Sequence, residues 1–141
     1  MVWGSSVLLF RMKITLCGSM IFLDTMKEIE AYLIARGHEV KRPDVLWPKD
    51  GSACPPEKKA EAIREHFEKV EWSDAVIIVN PEKKGVAGYI GGNTLMEMAL
   101  AFHVGKVIYL THEVPNISYT EEILGMLPRP VTELVSDFVA K

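Results

Sequence analysis

Apolar and polar positions alternate along this chain in blocks that switch between a strand period and a helix period. Lys13-Ile14-Thr15-Leu16-Cys17 is apolar and β-prone, and Gly18-Ser19 breaks it. Beyond the break, Ile29, Leu33 and Ile34 follow Phe22 and Met26 at helical spacing, which predicts a helix with one buried face. Gly37 ends that helix, and His38-Glu39-Val40-Lys41 reads as a short strand. Pro43 to Pro56 is rich in Pro, Asp and Gly and reads as a loop. Glu57 to Glu71 follows as a charged helix whose inner face would be Ala60, Ile63, Phe67 and Val70. Asp74-Ala75-Val76-Ile77-Ile78-Val79-Asn80 is the strongest strand, and its continuous apolar run implies burial on both faces, as in a parallel sheet. A Gly-rich loop reaches Gly91-Gly92, and Thr94 to His103 reads as an apolar helix. Gly105-Lys106 precedes the strand Val107-Ile108-Tyr109-Leu110. A helix from Tyr119 to Met126, a short strand near Val131 and a last helical turn complete the pattern.

Strands alternating with helices predict an α/β, doubly wound, Rossmann-like or flavodoxin-like fold. The expected sheet is five-stranded and mostly parallel, in order 2-1-3-4-5, with helices on both faces. A length of 141 residues fits a single domain over 12–141, preceded by an N-terminal extension over 1–11. Val7-Leu8-Leu9-Phe10 is far shorter than the roughly 20 apolar residues a membrane helix needs, and too short for a signal peptide core. Met12-Lys13 opens the first strand, which makes Met12 a candidate start.

Composition narrows the partners. Lys and Arg total 16 against 19 for Asp and Glu, so no cationic excess points to a nucleic-acid polymer. Cys17 and Cys54 are the two cysteines and form no C-x-x-C pair, which excludes a disulfide framework and fits a reducing cytoplasm. A small molecule is the expected ligand, with no membrane partner.

The fold says where that ligand binds. In an open parallel sheet, ligands sit beyond the carboxyl ends of the strands, at the switch point. Gly18, Ser19 and Met20 follow the first strand, Asn80 ends the third, and Tyr89, Gly91, Gly92, Asn93 and Thr94 lead into the next helix. These are the expected substrate-binding residues. Asp74 begins its strand, belongs to the opposite end of the sheet and reads as structural. Glycines at a helix start let backbone N–H groups approach an anion. Against that, Thr94-Leu95-Met96-Glu97 fits the capping box T-x-x-E, in which Glu97 reaches back to a backbone N–H. There is no G-x-G-x-x-G and no Walker sequence, so no dinucleotide or nucleotide cofactor is expected. His38, His66, His103 and His112 form no H-E-x-x-H and have no cysteine at zinc spacing, so no metal is expected. No G-x-S-x-G elbow appears. Cys17 reads as a packed thiol and the methionines as core filling. Lys58-Lys59 and Lys83-Lys84 read as solvated charges within reach of a substrate phosphate.

Residues from about Lys13 to Leu110 resemble the nucleoside 2-deoxyribosyltransferase superfamily, which includes the deoxynucleoside 5′-monophosphate N-glycosidases. Leu16-Cys17-Gly18-Ser19-Met20 is similar to its first-strand signature. The run from Tyr89 through Gly91-Gly92-Asn93-Thr94 to Glu97, then Ala99, Ala101 and Gly105-Lys106, is similar to its nucleophile segment. The G-G-x-T-x-x-E run is also similar to the cytokinin-activating phosphoribohydrolases. The resemblance implies that Glu97 is a nucleophile that attacks the anomeric carbon and expels the base, followed by water or a second base. The chain departs from the family at three places. His66 stands where the deoxyribosyl enzymes carry a helical Asp, and is the candidate proton donor. Gly91 stands where the transferases carry a further Asp, and Ile21-Phe22 follow Met20 where the nucleotide glycosidases place an Arg.

Two functions from different classes fit these residues. One is an N-glycosidase or base-exchange transferase acting on a nucleoside or nucleotide through Glu97 and His66. The other is a non-catalytic nucleotide sensor that kept the pocket and lost the chemistry. The resemblance implies a homodimer, for which the apolar helix from Met96 to Phe102 offers a face.

Overall fold

A computed structural model describes residues 11–44 and 52–140. The expected extension over 1–11 lies almost wholly outside them, as does the middle of the Pro43–Pro56 loop. The elements in chain order are β1 (Lys13–Cys17), α1 (Leu23–Ala35), β2 (Glu39–Lys41), α2 (Pro56–Trp72), β3 (Ala75–Ile78), α3 (Gly92–His103), β4 (Val107–Leu110), α4 (Thr120–Gly125) and β5 (Arg129–Pro130). Short 3₁₀ turns at Met20–Phe22 and Val131–Glu133 precede α1 and follow β5. All four strand pairings are parallel, in the order β2-β1-β3-β4-β5. This is the α/β architecture and strand order that the alternating pattern predicts.

The apolar run of β3 explains its central place. Ala75 and Ile77 face one layer, with Ile14, Leu16, Met26, Ile29 and Leu33, and with Val131 and Val135 near the C-terminus. Val76 and Ile78 face the other, with Val70 of α2, Met98 and Ala101 of α3, and Ile123 of α4. A strand covered on both sides must be apolar at every position, and each such side chain contributes about 1.5–3 kcal/mol on burial. Asp74 accepts a hydrogen bond from the Lys13 N–H at 2.9 Å at the amino end of the sheet. It ties β3 to β1, the structural role expected of it.

Local chemistry sets the helix ends. Pro56 opens α2, where its missing N–H is no loss. Helices α1 and α3 both end in a glycine with positive φ, Gly37 at 92° and Gly105 at 78°. Behind each, paired bonds close the last turn: Gly37 N–H to Ile34 and His38 N–H to Leu33, then Gly105 N–H to Phe102 and Lys106 N–H to Ala101. This is the Schellman stop, and it holds the chain on course into β2 and β4.

Three details differ from the sequence pattern. Ile34 is 53% exposed rather than part of the inner face of α1, because it lies one residue, and so about 100° of helix, beyond Leu33. Helix α2 buries His66 and Val70, while Ala60, Ile63 and Phe67 are only half-buried. The helix is rotated so that a polar residue faces inward. Helix α3 begins at Gly92, with Gly91 as its N-cap, and the Leu95 N–H bonds to the Gly91 carbonyl. Thr94 is therefore inside the helix and cannot cap it, so the T-x-x-E capping box does not form.

Candidate active site

The carboxyl ends of β1 and β3 and the start of α3 converge on one cavity of about 380 Å³. That lies within the range of about 300–1,000 Å³ usual for small-molecule clefts. Gly18, Ser19, Met20, Tyr89, Gly91, Gly92, Asn93 and Thr94 line it, and His66 lines it from α2. Gly18 is required by close packing, since a Cβ there would stand 2.7 Å from the Val79 carbonyl oxygen. Ser19 then caps the turn at Met20–Phe22, accepting from the Ile21 N–H.

A hairpin turn brings a cation to this floor. Lys84 and Gly85 both have positive φ, the mark of a type I′ turn, and paired Lys83–Val86 backbone bonds close it. Lys83 Nζ donates to Ser19 Oγ at 3.0 Å and stands 5.0 Å from the centre of the Tyr89 ring. Lys83 is therefore a positioned charge, not the solvated one its sequence context suggests. On the opposite wall, Lys69 is held by Asp44 at 3.1 Å and Glu65 at 3.3 Å. The Lys69 ammonium keeps the Asp44 carboxyl below its usual range.

Two expected site residues do not line the cavity. Asn80 is fully buried and its amide is spent on structure. Its Nδ2 donates to the Gly88 and Glu113 carbonyls at 3.2 and 3.0 Å. Its Oδ1 accepts from the His112 N–H at 2.9 Å and from Thr111 Oγ1 at 3.2 Å. Asn80 thus pins the loops after β3 and β4 and has no amide group left for a substrate. Glu97 is 2% exposed and sits behind the wall that His66 and Asn93 present.

Glu97 is not folded back onto the helix start. Its Oε2 accepts from Asn93 Nδ2 at 3.2 Å, and its Oε1 lies 3.7 Å from His66 Nε2. Among the described residues, no group hydrogen-bonds Oε1. Cys17 Sγ is 3.4 Å from the same His66 nitrogen. Burial drives the electrostatics. It raises the Glu97 carboxyl to about 8, opposed by the Cys17 thiol, the charge of Lys59 and Asn93. It lowers the His66 imidazole to about 4, helped by the charge of Lys69. Burial also raises the Cys17 thiol, with Glu97 adding to the effect. Near neutrality both groups are held in their uncharged forms, with one proton on the Glu97 carboxyl and one on the His66 ring.

Such a pair can trade a proton without net change of charge. A carboxyl acid and a neutral imidazole become a carboxylate and an imidazolium, which is a nucleophile beside an acid. The sequence singles out both residues but not their company: Cys17, a packed thiol, meets His66 only in the fold, and Asp44, Glu65 and Lys69 stand in no motif. The one linear signal for the last pair is the i,i+4 spacing of Glu65 and Lys69.

No protein-family model matches the chain, and no curated protein matches it. Among solved structures, the chain is similar to a 2-deoxyribosyltransferase from Bacillus psychrosaccharolyticus. The TM-score is 0.52 and the identity 20%, over 69% of each chain. A CMP N-glycosidase from Clostridium botulinum matches at TM-score 0.43 and 17% identity, over 69% of this chain and 66% of that one. The transferase shares the fold of this chain.

Proposed function

We propose that this protein cleaves the N-glycosidic bond of a nucleoside or nucleotide, by hydrolysis or by base exchange, with Glu97 as nucleophile and His66 as proton donor. The observation that carries the reading is the buried Glu97–His66 pair, 3.7 Å apart, directly behind a cavity of nucleoside size. Transfer of the Glu97 proton to His66 Nε2 leaves a carboxylate facing an imidazolium. The imidazolium gives its proton to the departing base while the C1′–N bond breaks. The carboxylate takes up the anomeric carbon as a covalent ester, the retaining logic of glycoside chemistry. Water, deprotonated by the now neutral His66, attacks C1′ and frees the sugar. A second base entering at that point gives exchange instead. Either way His66 returns the proton to the freed Glu97 carboxylate, and both groups end in the states they began in.

The cavity supports a phosphorylated substrate. Lys83, Ser19 and the N–H groups at the start of α3 line it, a set suited to a phosphate or a sugar hydroxyl. We assign Gly18, Ser19, Met20, Tyr89 and Gly91 to Thr94 to substrate contact. The chain acts as one domain over 12–141, without a cofactor, as a cytoplasmic homodimer. Exposed Met96 and Phe102 on α3 support the dimer, and the free thiols Cys17 and Cys54 support a reducing compartment.

One observation favours a second reading, a nucleotide sensor without turnover. Glu97 is 2% exposed, so the Asn93 or His66 side chain must give way before the carboxylate meets an anomeric carbon. A panel of nucleosides and 5′-monophosphates separates the two readings. Release of free base that is lost in Glu97→Gln supports the enzyme. Thermal stabilisation by the same compounds with no base released supports the sensor.

A further inference from the structure

Cys17, His66 and Glu97 come from β1, α2 and α3, and all three are buried. Their Sγ, imidazole nitrogen and carboxylate oxygen lie within 4.8 Å of one another. We propose that these three groups form a binding site for one zinc-class divalent cation, and that filling it silences the glycosidic chemistry. The second half rests on the reading of Glu97 and His66 as the reacting pair, and the first half does not.

Geometry is the main argument. Zinc binds sulfur at about 2.3 Å and nitrogen or oxygen at about 2.0–2.2 Å, so a tetrahedral ion spaces nitrogen from sulfur by about 3.5 Å and nitrogen from oxygen by about 3.4 Å. The observed separations are 3.4 Å from His66 Nε2 to Cys17 Sγ and 3.7 Å from His66 Nε2 to Glu97 Oε1. The two edges that meet at His66 Nε2 already stand close to those of such a tetrahedron, and the third, from Cys17 Sγ to the carboxylate, is within 4.8 Å. Among the described residues no donor hydrogen-bonds the buried Glu97 Oε1, and a cation would give that oxygen a partner. Thiolate with imidazole selects zinc or cobalt over magnesium and calcium.

Charge balance is the second argument. One thiolate and one carboxylate neutralise a divalent ion, so the filled site carries no net charge into a buried region. On binding, the thiol proton and the carboxyl proton leave to solvent, and three metal–ligand bonds form. Three protein ligands leave a fourth position for water. His66 lines the cavity and gives an entering ion its path. Once the metal holds the carboxylate and Nε2, neither can attack C1′ nor carry a proton.

The test uses the full chain, freed of metal with a chelator and then titrated with Co²⁺. Cys54→Ser makes Cys17 the sole thiol, and Cys54 is exposed, so this variant folds. The expected result is a near-ultraviolet thiolate-to-cobalt band that saturates at one equivalent in Cys54→Ser and is bleached by Zn²⁺. Absence of that band in Cys54→Ser overturns the site. Base release is then compared in chelator and with one equivalent of Zn²⁺. A fall of at least about tenfold supports silencing, and unchanged turnover at full occupancy overturns it. No base release even in chelator defeats the enzyme reading while the cobalt result stands, and base release without a cobalt band does the reverse.

Discussion

Glu97 Oε1 lies 3.7 Å from His66 Nε2, and both side chains are buried between α2 and α3. This contact replaces the helix cap that T-x-x-E suggested, and it gives the clearest mutational test. Glu97→Gln keeps the shape and the acceptor for Asn93 but removes the proposed nucleophile. Turnover is expected to fall by about 10³-fold or more, since a neutral amide attacks poorly. Stability near pH 7 is expected to rise, because folding must protonate a carboxyl that is ionised in the unfolded chain, and Gln carries no such cost. Steady-state base release beside urea unfolding checks both halves.

Lys83 is the positioned cation of the cavity floor, so it discriminates between ligands. Lys83→Met removes a charge-assisted bond to any phosphate seated beside Ser19, worth about 1.5–3 kcal/mol. A 5′-monophosphate is expected to bind at least about tenfold more weakly, with the matching nucleoside unaffected. Calorimetric titration of the two ligands decides the matter. Equal losses for both would move the phosphate elsewhere.

How much of this was legible beforehand follows from which interactions are local. The bounds of β1 and β4 and the Gly37 stop depend on residues near in sequence, and they read correctly. The order of the strands follows from right-handed crossovers once β3 is recognised as buried on both faces. The rotation of α2 was not legible. Counting apolar residues favours Ile63 and Phe67, whereas packing against α3 turns His66 inward to meet Glu97 and Cys17. The sequence pattern starts α3 at Thr94 because Gly92 and Asn93 look like loop, and only the extended Gly91 backbone sets the boundary at Gly92. Residues 17, 66 and 97 share no spacing, so their cluster exists only in three dimensions.

Asn80 tests whether a residue at the switch point serves structure or substrate. Its amide closes four hydrogen bonds among Gly88, Glu113, Thr111 and His112. Asn80→Ala leaves those buried partners unsatisfied, at about 1–3 kcal/mol for each group that finds no water. We expect a loss of roughly 3 kcal/mol or more in urea unfolding. A folded variant of unchanged stability with weakened ligand binding would return Asn80 to the substrate.

The proposed dimer has its own test on α3. Met96 is 42% and Phe102 49% exposed, on the same helix that carries Glu97. Phe102→Glu is expected to convert a sedimenting dimer to a monomer at micromolar concentration, because a desolvated charge without a partner costs several kcal/mol in an interface. A wild-type protein that sediments as a monomer would remove the dimer.

The last prediction concerns acid stability and rests on His38. The Met12 N–H donates to His38 Nδ1 at 3.1 Å, so this ring nitrogen must be unprotonated in the fold. Burial lowers the His38 imidazole below its ordinary 6.5, and the Arg36 charge lowers it further. The unfolded chain therefore binds a proton at His38 more readily than the folded one. Stability from this residue is fully present above pH 6.5 and is lost as pH falls through the lower, folded value. His66 shifts in the same direction and Glu97 in the opposite one. A comparison of wild type with His38→Gln cancels those two contributions, since neither touches His38. Glutamine offers the Met12 N–H an acceptor that does not titrate in this range. The wild-type protein is expected to lose stability relative to His38→Gln as pH drops from 7 to 5, and the gap is expected to be constant above pH 7. Urea midpoints across that range measure the gap directly. A difference that grows instead above pH 7 would mean that folding raises the His38 pKa and that the Met12 contact does not hold the ring neutral.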